Sequence, residues 1–326
     1  MGVLRRSFSL PRTGTAQGFG VGTFNVTYAL EQATTHGATV SAIAGGRGAG
    51  ETTQGTVDLN AISASLVACS TSSCYQPPVY SFGLQDLWDS PSTPYSFTEM
   101  AGVAKDATIV ENHVDLSPSQ NLAGTLSALE GHMENSHGAA SINLSLGLNI
   151  RSVGLSLAQL KESLKGSSIL SRKSNSVIVA AAGNSGAPCA EADLNDCSVI
   201  AVAMTLLPNT RESTIVVGAL EGSGRSERIA SYSTRAGVMA DRYLLANGQA
   251  GDVLTTGELV QGTSFAAPRV SGAAAILRHK FPALTAEEAA SLLLLTANKD
   301  INNDGIPDFQ GVSPIYGHGK LDLVRA

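Results

Sequence analysis

Short apolar runs alternate along this chain with stretches in which apolar residues recur among polar ones. Residues 107–110, 142–146, 177–182 and 214–217 are runs of the first kind and read as buried strands, and 57–68 is strand-forming as well. Between them, residues 122–130 and 155–164 read as helices. A further helix follows Gly262 and runs through Val270, Ala273, Ala274, Ile276 and Leu277; the last starts at Thr285-Ala286-Glu287-Glu288 and continues through Leu295. That tetrapeptide is a capping box, in which the Thr285 hydroxyl accepts from the Glu288 N–H while the Glu288 carboxylate reaches back. Strands alternating with helices predict an α/β fold, a doubly wound, mostly parallel sheet with helices on both faces.

Composition narrows the picture. A chain of 326 residues, 43% hydrophobic and 15% charged, can bury a substantial core, and one large domain over residues 1–326 is expected. Residues 70–98, rich in Ser, Pro and Tyr, read as a surface insertion. The net charge is −6, with no run of Lys and Arg and no aromatic-basic stripe, so no nucleic-acid partner is expected. No transmembrane segment is expected either, because the longest leucine run, 292–295, belongs to a short helix. Four cysteines form two local pairs, Cys69 with Cys74 and Cys189 with Cys197. Two short-loop disulfides fit an oxidising compartment, and four free thiols in a reducing cell are the other reading.

The most informative stretch is Gly262-Thr263-Ser264-Phe265-Ala266-Ala267-Pro268. It places a serine among small residues at a helix entry, where Gly262 lets the backbone turn tightly and free backbone N–H groups can meet a developing negative charge. A serine there could equally be a simple helix cap. A second segment, Val177 through Ala182 followed by Gly183-Asn184-Ser185-Gly186, reads as a buried strand ending in a turn. A third is Thr35-His36-Gly37-Ala38-Thr39-Val40.

These segments, in this order, resemble the subtilisin-like serine proteases. The resemblance implies that Ser264 is the nucleophile, His36 the general base that opens a helix, and the Asn184 amide an oxyanion donor beside the Ser264 N–H. Ser141 through Gly147 resembles the family strand that lines the substrate cleft, which assigns Ser145, Leu146 and Gly147 to the cleft wall. Residues 229–237 and 316–323 further resemble protease passengers of bacterial autotransporters.

The third triad member departs from the pattern. Subtilisin-like enzymes carry an aspartate on a strand before the histidine, yet here the first aspartate is Asp58 and the only acid upstream of His36 is Glu31. The aspartate strand is therefore expected to lie upstream of Met1. Without it, turnover would fall by about four orders of magnitude. The stretch 20–28 has strand-like alternation that could partly fill the gap. No secretory signal is expected within this chain either, since Pro11, Arg12 and Gln17 interrupt what would be its apolar region, and one truncation would explain both absences. A rival base is His137, before Gly138 and after Asp106 and Asp115. However, the cleft-strand segment follows it directly and leaves no room for the expected helix. His113, His132, His279 and His318 have no supporting pattern and take surface or structural roles.

One feature suggests a metal. In 300–308, Asp300, Asn302, Asp304 and Asp308 place oxygen side chains at positions one, three, five and nine, with Gly305 at six, as in the first part of an EF-hand-type calcium loop. Gly311 stands where the bidentate glutamate should be. A structural calcium and a hydrophilic turn are both open, and catalysis needs no cofactor. The functional expectation is an exported or cell-surface serine endopeptidase acting on polypeptides. Two alternatives stand beside it: a subtilase-like protein that binds polypeptides without cleaving them, and a serine esterase, against which the lack of a Gly-x-Ser-x-Gly elbow argues.

Overall fold

The computed structural model describes residues 40, 43–44, 52–58, 92–98, 103–104, 107, 109, 122–134, 138–147, 154–165, 173–251 and 259–326, with backbone alone for 52–58, 92–98, 132, 134 and 251. The chain groups into two compact units, 1–109 with 251–259 and 110–250 with 260–326. In the first, β1 (Thr52–Asp58) pairs antiparallel with β2 (Ser92–Thr98), from Thr52 opposite Thr98 to Asp58 opposite Ser92. The sequence reading starts this strand at 57 and puts residues up to 98 in an insertion. In the structure the strand begins earlier, and the Thr-rich segment 52–58 is recruited by its partner strand, an effect that no hydrophobic pattern announces. The strand expected over 107–110 lies largely outside the described residues.

The second unit is built on a sheet of β3 (Ser141–Leu144), β4 (Val177–Ala181), β5 (Thr214–Glu221) and β7 (Tyr243–Asn247), all parallel, with β6 (Arg228–Ile229) antiparallel at the end of β5. The register sets Ser141 against Val177, Ile178 against Thr214 and Val216 against Tyr243. Parallel strands demand crossovers, and α2 (Leu157–Leu164) provides the one from β3 to β4 and α3 (Val199–Leu206) the one from β4 to β5, while α1 (Leu122–Glu134) precedes β3, and α4 (Thr263–Lys280) and α5 (Ala286–Leu295) follow β7. A short ribbon of β8 (Gln249–Gly251) and β9 (Leu259–Gln261) precedes α4.

Side-chain alternation divides the core. Ile178, Ala180 and Ala182 join Leu126 and Leu129 of α1, Leu160 of α2 and the apolar residues of α3 in one cluster. The alternate residues Val177, Val179 and Ala181 point to the opposite face, where α4 packs on β3, β4, β5 and β7, and α5 packs on β4, β5 and α4. The expected doubly wound arrangement is therefore present. The capping box at Thr285 is present too, with Glu288 N donating to Thr285 Oγ1 at 3.2 Å and Thr285 N donating to Glu288 Oε2 at 2.9 Å.

The segment after α5 fastens to β7. Leu245 N donates to Gly319 O, and Leu321 N donates back to Leu245 O. Beside this join, the Lys320 ammonium is buried and uses all of its donors, reaching Glu227 Oε2 at 2.8 Å, Asn303 Oδ1 at 2.7 Å and Ile301 O at 3.1 Å. Lys320→Met would leave the Glu227 carboxylate without its countercharge, held among the described residues only by the Asn303 amide at 2.8 Å, and would take a donor from the Ile301 carbonyl. We expect a loss of about 2 kcal/mol in chemical unfolding, at the low side for a broken buried pair because Glu227 is partly hydrated. A change below about 0.5 kcal/mol would show that the network contributes nothing net.

His318 gives the fold a pH dependence. Its ring is half-buried, and Nε2–H donates to Asp241 O at 3.1 Å. Burial is the leading influence and lowers its pKa below the ordinary 6.5. The folded protein thus favours neutral His318, and the unfolded chain binds the proton more readily. The contribution to stability is complete above pH 6.5 and is lost as pH falls through the folded pKa. Melting curves of wild type and His318→Gln should converge on acidification below pH 6.5; a constant difference would assign no role to this titration.

Candidate active site

The C-terminal ends of β3 and β4 and the N-terminus of α4 enclose an open cleft of about 410 Å³. Ser145, Leu146, Gly147, Gly183, Asn184 and Ser264 line it together with Thr263, Ser185 and the segment 195–198. The carboxyl edge of a parallel sheet is where open α/β folds place their ligands. Five residues singled out from sequence thus converge here: Ser145, Leu146, Gly147, Asn184 and Ser264. His36 and its rival His137 lie outside the described residues, as do Cys69 and Cys74.

Three side chains interlock at the helix entry. Asn184 Oδ1 accepts from Thr263 N at 2.9 Å and from Thr263 Oγ1 at 3.1 Å, and Thr263 Oγ1 accepts in turn from Gly183 N at 3.2 Å. A backbone N–H can only donate, so the Asn184 oxygen must face Thr263 and the amide nitrogen turns away from it. Sequence reasoning missed Thr263 as the residue that orients Asn184, although it stands directly before Ser264.

Glycine is needed at a position other than the one the sequence suggests. The sequence reading gives Gly262 a tight turn, but its φ of 163° is extended backbone, and a Cβ there would meet its neighbours no closer than 3.6 Å. Gly183 has φ +111°, and a Cβ on it would lie 2.9 Å from Thr234 Oγ1. The turn that delivers Asn184 therefore requires Gly183, while the turn into α4 does not require Gly262.

The start of α4 leaves one donor open. Of the N–H groups that lack helical acceptors, Gly262 N bonds Gly248 O, Thr263 N bonds Asn184 Oδ1 and Phe265 N bonds Gly262 O. Among the described residues, Ser264 N donates to no acceptor, and neither does Asn184 Nδ2. Ser264 itself is half-buried while its neighbours Thr263 and Phe265 are buried. A hydroxyl, a helix N-terminal N–H and a side-chain amide thus share one cleft. That combination can hold a carbonyl whose oxygen gains negative charge as a hydroxyl attacks its carbon.

The 195–198 part of the cleft wall is braced by a disulfide between Cys189 and Cys197, whose Cα atoms are 5.1 Å apart. Asp196 O accepts from Ser185 Oγ at 2.9 Å and from Thr234 Oγ1 at 2.8 Å. The segment 300–308 holds its own turn: the Asp300 carboxylate accepts from the N–H groups of Asp304 and Gly305, Asn302 Oδ1 from Asp304 N, and Asp304 Oδ1 from Ile306 N. Asp308 Oδ2 accepts from Ile301 N at 2.7 Å.

The sequence model of the subtilase family (Peptidase_S8) matches residues 20–319. Subtilisin DY of Bacillus licheniformis is 30% identical over 230 residues, covering 70% of this chain and 71% of that protein. Mycosin-4 of Mycobacterium tuberculosis is 32% identical over 171 residues, covering 47% of this chain but 34% of its own length. Among solved structures, Sphericase is 24% identical with a TM-score of 0.47, covering 68% of this chain and 70% of that one.

Proposed function

This chain belongs to the subtilase family of serine peptidases, and from that membership we propose that it is an endopeptidase that hydrolyses polypeptides through an acyl-enzyme on Ser264. His36 is the general base, a role supported by its sequence segment. The observation that carries the reading is the pairing of two donors, Ser264 N–H and Asn184 Nδ2, that meet no acceptor among the described residues, in the cleft that Ser264 also lines.

The chemistry follows from that pairing. Ser264 Oγ attacks the scissile carbonyl carbon as His36 removes its proton, because a serine hydroxyl is too weak a nucleophile alone at neutral pH. The carbonyl oxygen becomes an oxyanion between the Ser264 N–H and the Asn184 amide. Collapse of the intermediate returns the proton from His36 to the leaving amine, and water then hydrolyses the ester by the same path. Export is part of the proposal, supported by the Cys189–Cys197 disulfide, since such bonds persist chiefly in oxidising compartments.

Labelling with a fluorophosphonate probe tests the reading directly. An activated Ser264 should be phosphonylated, and mass analysis should place the adduct on the peptide containing Gly262 through Pro268. A folded protein that takes up no probe, or takes it up elsewhere, overturns the assignment and favours a subtilase that binds polypeptides without cleaving them.

A further inference from the structure

Granting that Ser264 is the nucleophile, we propose that Ser145 is its positioning residue, holding the Ser264 peptide unit by a carbonyl that Pro268 leaves without a helical partner. In a regular helix the Ser264 carbonyl would accept from the N–H of residue 268. Proline has no N–H, and its ring presses against the carbonyl four residues earlier. Pro268 lies buried inside α4, so this carbonyl lacks its regular helical donor. Ser145 Oγ donates to Ser264 O at 2.8 Å across 119 residues of chain.

A third residue directs that proton. Asn143 Nδ2 donates to Ser145 Oγ at 2.9 Å and occupies the acceptor side of the hydroxyl. The one hydroxyl proton is then free for Ser264 O alone. Reversing the Asn143 amide would set its oxygen against Ser145 Oγ and compete for that proton. In its present orientation Asn143 Oδ1 is buried and has no hydrogen-bond partner among the described residues. An unpartnered buried oxygen is costly, and its presence here fits a side chain held for what its nitrogen does.

The same strand offers an internal comparison. Ser141, at the start of β3, donates to Ser271 O at 2.8 Å, also on α4. Residue 275, four positions on, is Ala275 and retains its N–H, so Ser271 O is not deprived of a helical donor. Ser141 therefore fastens strand to helix, whereas Ser145 replaces a bond that the helix cannot make. Because Ser145 directly follows β3 and lines the cleft, the placement of the nucleophile is coupled to the strand that bounds the cleft.

The test is a double-mutant cycle of Ser145→Ala with Pro268→Ala, read by the fluorophosphonate labelling rate, by kcat and KM on a short peptide, and by chemical unfolding. With Pro268 present, Ser145→Ala should slow labelling and lower kcat about tenfold while KM changes little. In the Pro268→Ala background the new N–H serves Ser264 O, and the same Ser145→Ala substitution should cost less than about threefold. Ser145→Thr should restore most of the rate, and Ser141→Ala should leave labelling unchanged.

An equal Ser145→Ala effect in both backgrounds, or a rise in KM at constant kcat, would make Ser145 a cleft wall and overturn the proposal. If the unsubstituted folded protein is never labelled, the nucleophile reading itself fails. The unfolding cycle still decides the bond in that case: destabilisation by Ser145→Ala that shrinks in the Pro268→Ala background supports it, and an equal loss refutes it.

Discussion

Ser264→Ala is expected to abolish fluorophosphonate labelling and, measured against an enzyme with a complete triad, to lower peptide hydrolysis by about 10⁶-fold, the scale on which removal of the nucleophile acts in subtilisin itself. The serine occupies the second position of α4, and its side chain makes no hydrogen bond among the described residues, so the fold loses little when the oxygen is removed. Denaturant midpoints should agree with wild type within about 0.5 kcal/mol. Fluorogenic peptide assays beside unfolding curves separate the two effects. Hydrolysis surviving in folded Ser264→Ala protein would place the nucleophile elsewhere.

Asn184→Ala should lower kcat by about 10²- to 10³-fold with KM nearly unchanged, because its amide meets an oxygen that is fully charged only in the transition state. The alanine variant has a complication that the structure makes plain. The Asn184 oxygen also anchors Thr263 through N at 2.9 Å and Oγ1 at 3.1 Å, so its removal loosens the entry to α4 as well. Asn184→Asp separates the roles, since a carboxylate keeps an acceptor for Thr263 and loses the donor. It should remain as stable as wild type and fall in kcat at least as far as the alanine variant, with added repulsion of the oxyanion. Wild-type turnover in Asn184→Asp would remove this residue from the oxyanion hole. Steady-state kinetics on one peptide substrate suffice.

Elements whose signals are local could be read from the chain. β4 is legible because Val177 through Ala181 is an unbroken apolar run that soon meets a glycine, and α5 because Thr285 and Glu288 cap it within four residues. α3 is not. Val199–Leu206 is apolar almost throughout, so its periodicity cannot separate a buried helix from a strand. Only the Ser198 hydroxyl, accepting from Ala201 N at 3.3 Å, marks the turn into a helix. β7 escaped sequence reading for the complementary reason. Tyr243 through Asn247 is a modest pattern, and pairing with Val216 through Leu220 makes it a strand.

The site divides in the same way. The sequence by itself singled out the candidate residues: the serine in its Gly-Thr-Ser segment, the asparagine after a glycine, the order of the segments and the family they resemble. It could do so because those residues must sit in short motifs whose backbone is built from neighbours in the chain. The tertiary structure decided which groups are already engaged. Thr263 ties down one end of Asn184 across 79 residues, Ser145 takes up a carbonyl that Pro268 forsakes across 119, and Gly183 supplies the left-handed turn. Hydrogen-bond satisfaction is a property of the packed molecule, since a donor is free only when every other acceptor in space has been assigned.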